Sequence, residues 1–76
     1  MKAIMLSTTN PAFKYFENVT ADLTIKRQAF FGNLYTSRIR KVIYNHKKDT
    51  SIITIETLNS TYVFETIKPL KEKNNE

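Results

Sequence analysis

The chain has 76 residues, a formal net charge of +5, one glycine, two prolines, one histidine and no cysteine. That length makes one domain with a small core. Without cysteine there is no disulfide framework and no thiolate metal site, and His46 alone cannot build a metal centre, so no metal and no cofactor are expected. No apolar run approaches the roughly 20 residues that span a bilayer. Residues 1–6 are too short for a signal-peptide core, so a cytoplasmic setting without a membrane partner is expected.

Ten threonines and abundant isoleucine favour a pleated, half-buried backbone. Period-two alternation recurs along the chain, and no window of a dozen residues holds a helical apolar stripe. Residues 2–7 and 12–18 read as a hairpin around a loop at 8–11, which puts Phe13 and Tyr15 on one face. Residues 20–31 alternate as one strand: Ala21, Leu23, Ile25, Ala29 and Phe31 face one way, Asp22, Thr24, Lys26 and Gln28 the other.

Gly32 and Asn33 read as a turn leading to a strand over 39–45. A two-residue loop there would set Arg27 against Arg38, and like charges directly opposed are unfavourable. A bulge or longer loop is therefore expected around Tyr35, Thr36 and Ser37. By simple parity Arg38, Arg40, Val42 and Tyr44 share one face, and Ile39, Lys41 and Ile43 the other.

After a turn over 46–50, residues 51–58 and 61–67 form the clearest hairpin, with Asn59 and Ser60 as its two-residue turn. That register opposes Ile55 to Phe64 and Ile53 to Thr66, and collects Ile53, Ile55, Tyr62 and Phe64 on one face. The sequons at Asn18 and Asn59 read as turn chemistry. The predicted fold is all-β: residues 1–68 form one domain, a five-stranded meander curled into a small SH3-like or partly open barrel. Residues 69–76 have almost nothing to bury and are expected to be a flexible polar tail.

The run Thr36-Ser37-Arg38-Ile39-Arg40-Lys41-Val42, followed by Thr57-Leu58-Asn59-Ser60-Thr61-Tyr62, resembles short, mostly uncharacterised β-rich proteins of bacteriophages and mobile elements. In those, a Thr-Ser-led strand precedes a Thr-x-Asn-Ser-x-Tyr hairpin. The resemblance covers about the last half of the folded chain. It implies a phage-encoded protein inside the host cytoplasm and brings no catalytic residue with it.

Charge is segregated along the chain. Residues 23–48 hold seven cations and no acid, whereas the rest holds five cations against seven acids. Nucleic-acid modules combine Lys and Arg for phosphates with aromatics that stack on bases. Arg38, Arg40, Lys41, Lys47 and Lys48, with Tyr35 and Tyr44, supply those types. The bland reading is that these charges keep a small domain soluble and blunt an edge strand.

Phe16 and Phe30 fall on the faces opposite the other aromatics. They either fill the second side of a curled barrel or mark a protein interface. Catalysis has little to stand on. His46 lies in a lysine-rich turn, Glu56 and Glu65 sit on an open sheet face, and the single glycine makes no phosphate loop.

The expected protein is thus a non-enzymatic binder of nucleic acid through the basic face over residues 26–48. The alternative is an accessory factor or inhibitor that docks on an acidic host protein, serving host takeover. A homodimer paired through an edge strand is a third arrangement.

Overall fold

In the computed structural model the described residues are 1–67, and the predicted tail over 69–76 lies outside them. Among the described residues no helix is long and apolar enough to cross a membrane. The described residues form seven strands, not five: β1 (Lys2–Thr8), β2 (Thr20–Ile25), β3 (Ala29–Phe31), β4 (Leu34–Tyr35), β5 (Ile39–His46), β6 (Thr50–Thr57) and β7 (Thr61–Ile67). They make one antiparallel sheet in the order β4-β3-β2-β1-β7-β6-β5.

The first departure from the predicted meander is local. Residues 12–18 are not a strand; Pro11–Phe16 is a 3₁₀ helix. Asn10 caps it, its side-chain oxygen accepting from the Ala12 N–H at 2.9 Å, and Pro11 supplies a preset φ where no N–H is needed. Phe13 and Tyr15 therefore part company. Phe13 is buried edge-on against Tyr62 at 5.2 Å, while Tyr15 is 88% exposed. Asn18 then takes a positive φ of 67° to turn the chain into β2.

The second departure splits residues 20–31 into β2 and β3. Ile25 pairs with Ala29 across residues 26–28, where the Lys26 N–H donates to the Gln28 carbonyl at 2.9 Å. A three-residue turn keeps side-chain parity, so Leu23, Ala29 and Phe31 are all buried, as alternation requires. Gly32 and Asn33 do form a turn, into the two-residue β4, with Gly32 at a φ of +60°.

The last hairpin keeps the predicted faces but not the predicted register. Its turn falls on Leu58 and Asn59, closed by the Thr57 N–H donating to the Ser60 carbonyl at 2.9 Å. Neither turn residue has a positive φ. Moving the turn back one residue slides the pairing by two, so Ile53 meets Phe64 and Ile55 meets Tyr62. A slip of two preserves the faces, and all four side chains are buried.

The sheet does not close into a barrel. β4 and β5 are its two edges, and the chain crosses from one to the other through residues 36–38. The strand predicted over 39–45, β5, accordingly pairs with β6 and not with β2–β3, and Arg27 never faces Arg38 in a ladder. The sheet nonetheless curls over its own core. Phe31 of β3 packs on Phe64 of β7 at 5.1 Å, above Met5, Leu23, Ile53 and Ile55. One backbone bond ties the curl, from the Ile39 N–H at the start of β5 to the Arg27 carbonyl at the tip of the β2–β3 hairpin (2.8 Å).

Candidate functional site

That backbone bond brings two basic segments together. Lys26 and Arg27 come from the β2–β3 tip, and Arg38, Arg40 and Lys41 from the start of β5. With Ile39 and Val42 as an apolar floor, these side chains line an open cleft of about 430 Å³. Among the described residues five cations and no acid border it. All five are exposed, and the ion pairs among the described residues lie elsewhere, at Lys2–Asp22 (3.8 Å) and Lys14–Glu17 (3.3 Å). Like charges gathered in one concavity focus a positive field outward and draw an anion in.

Two local devices aim these side chains. The first is Thr36, which is buried. Its hydroxyl accepts from the Ala29 N–H at 3.0 Å and donates to the Ser37 carbonyl at 2.8 Å. Its backbone N–H donates to the Ala29 carbonyl, and its own carbonyl accepts from the Gln28 amide at 2.6 Å. The crossing to β5 is thus pinned to β3 two residues before Arg38.

The second device is a bulge in β5. Ile39 pairs with Thr57 and Lys41 with Glu56, which leaves Arg40 as the extra residue. A bulge or longer loop was expected around Tyr35, Thr36 and Ser37: residues 36–38 are the longer connection, and the bulge comes in addition, at Arg40. It also corrects the parity reading. Ile39 joins Val42 and Tyr44 on the inner face, while Lys41, Ile43 and Asn45 face outward.

Of the residues singled out from sequence, Arg38, Arg40 and Lys41 meet in the cleft and the others do not. Lys47 and Lys48 occupy the β5–β6 turn, at the far end of β5. Tyr44 is 51% exposed on the edge strand, its ring stacked on His46 at 6.0 Å and 11°. Tyr35 is 64% exposed and packs on Phe30 at 6.1 Å, on the face of β3 turned away from Phe31. Phe16 lies apart from Phe30. It lines an apolar groove of about 290 Å³ with Val19, Ala21, Phe31 and Leu34.

Lys26 and Arg27 are the cleft members that the sequence placed in the basic run but not among the candidate site residues. The signal was the acid-free run itself, which contains them; their approach to Arg38 depends on the hairpin over 26–28.

His46 Nδ1 lies 2.8 Å from Ser51 Oγ, a cross-strand pair on the inner face. Among the described residues no carboxylate hydrogen-bonds the ring, so the pair lacks the third group that orients a base for nucleophilic chemistry. Compared with known proteins, the chain matches no family model, no curated protein and no solved structure.

Proposed function

We propose that this protein is a non-enzymatic binder of nucleic acid that takes phosphates in the cleft between the β2–β3 tip and β5. The observation that carries this reading is the convergence of Lys26, Arg27, Arg38, Arg40 and Lys41 on one concavity that no acid among the described residues lines, Glu56 standing across from Lys41 on β6 without forming an ion pair. A solubilising role would be served equally well by dispersed charges. Crowding five cations carries a repulsive cost that an anionic ligand removes. Each exposed guanidinium offers paired donors to phosphate oxygens. The resemblance to phage proteins and the cytoplasmic setting belong to the same proposal.

The test is fluorescence anisotropy with labelled oligonucleotides across a salt series. If each of the five cations meets one phosphate, log K against log [salt] falls with a slope of about −3.5 on a single strand or about −4.5 on a duplex. The double variant Arg38→Gln/Arg40→Gln should lose at least tenfold in affinity and flatten that slope. Binding too weak to detect at 100 mM salt, or a double variant that binds like the wild type, overturns the reading.

A second reading, docking on a host protein, has the apolar groove beside Phe16 in its favour. Its mark would be binding that salt leaves unchanged and that Phe16→Ala removes.

A further inference from the structure

Resting on the nucleic-acid reading above, we infer that the ligand is single-stranded, its bases stacking on the exposed Tyr44–His46 pair while the cleft holds its phosphates. Val42, Tyr44 and His46 follow one another on the inner face of β5, opposite Ile55, Ile53 and Ser51. Val42 belongs to the cleft, and the next side chain along that face is Tyr44. β5 is an edge strand, so among the described residues no neighbouring strand covers these rings from outside. The Tyr44 and His46 rings are nearly parallel, at 11°, and the hydroxyl of Ser51 holds the imidazole at 2.8 Å. An exposed, pre-stacked pair of rings is the platform on which an unpaired base finds a π-face to extend.

The charges run on past the platform. Lys47 and Lys48 follow in the turn, so cation, ring pair and cation lie in sequence along one strand. From Arg40 to Lys47 the strand rises about 23 Å, a track several nucleotides long.

A duplex fits this surface poorly. Its base faces are hidden by stacking, and its major groove admits a helix or a free two-stranded ribbon. Here β5 has β6 as its partner, and β6 is paired on its other side to β7, so the β5–β6 hairpin is no free ribbon.

The same edge offers a second class of ligand. The Lys47 N–H donates to the Thr50 carbonyl, which sets the alternation of the ladder and turns the amides of Val42, Tyr44 and His46 toward the open side. An acidic extended peptide could pair there. The stacked rings, with cations at both ends of the pair, favour the nucleic acid.

The full chain is titrated at 100 mM salt with labelled dT12, U12, a 12-mer of the same charge lacking bases, a 12-base-pair duplex and a poly-glutamate peptide. The expected result is at least tenfold preference for dT12 or U12 over the baseless and duplex probes, with DNA and RNA compared directly. Tyr44→Ala should cost roughly five- to hundredfold on the single strand and little on the baseless probe. Tyr44→Phe, which keeps the ring, should bind like the wild type, and far-ultraviolet circular dichroism checks that the variants fold.

Equal binding of the single-stranded, baseless and duplex probes, unmoved by Tyr44→Ala, overturns the inference and leaves the phosphate cleft standing. Poly-glutamate binding as tight as dT12 also overturns it, in favour of the peptide. Failure of every nucleic-acid probe removes the underlying reading as well.

Discussion

Thr36 does for the cleft what no charged residue does: it fixes where Arg38 starts. Its buried hydroxyl completes the hydrogen bonding of the Ala29 N–H and is itself satisfied by the Ser37 carbonyl. Replacing it with valine keeps the shape and strands a buried donor, which costs about 1–3 kcal/mol. Thr36→Val should lose that much in urea unfolding, and Thr36→Ser should restore most of it. A valine variant as stable as the wild type would show that the amide finds another partner. Gly32 is the other residue whose identity is set by backbone geometry. A Cβ there would meet only the Ala21 Cβ at 3.5 Å, an ordinary contact, so space is not the obstacle. The positive φ is, and Gly32→Ala should cost about 1–2 kcal/mol, read from the same unfolding curves.

At the scale of elements, what was legible in the sequence was parity, and what was not was turn length. Alternation identified the buried face of β2, β3, β6 and β7, because every turn between those paired strands preserves the phase of the side chains. For the same reason alternation could not distinguish one long strand over 20–31 from two short ones, nor one hairpin register from another two residues away. The helix signal at Asn10 and Pro11 was outweighed by apolar alternation, although a capping asparagine before proline is a start signal in its own right. The charge run contained all five cleft cations, three of them singled out as site residues, but the meeting of Arg27 with Ile39 is a long-range contact that no local pattern contains.

The bulge at Arg40 gives this scale its own prediction. Deleting Arg40 restores regular alternation, with Ile39 and Val42 both still on the inner face, so the fold should survive with its thermal midpoint within a few degrees. The guanidinium is lost, and the extra twist that aims Arg38 and Lys41 into the cleft is lost with it. The deletion should therefore weaken oligonucleotide binding more than Arg40→Gln does. Equal losses from the two variants would mean that the bulge accommodates Arg40 without orienting its neighbours.

Over the whole molecule, charge and folding are linked through the cleft. The folded state gathers cations from two segments that an unfolded chain holds far apart, and their mutual repulsion opposes the curl that buries Phe31 on Phe64. A ligand that binds only the folded state stabilises it by about 2.7 kcal/mol at a concentration one hundred times its Kd. For a domain of this size that is an increase of about 10–20 °C in Tm. An oligonucleotide should therefore raise the melting temperature of the wild type by that amount, and added salt should shrink the shift as binding weakens. The variant Arg38→Gln/Arg40→Gln should melt at or above the wild-type temperature when no ligand is present, because two of the five repelling charges are gone. It should gain almost nothing from the oligonucleotide. Both halves can be read by differential scanning fluorimetry in one plate. A variant that melts lower without ligand would show that these arginines support the fold, and the unpaired cluster would then lose its standing as a surface kept at a cost for an anion.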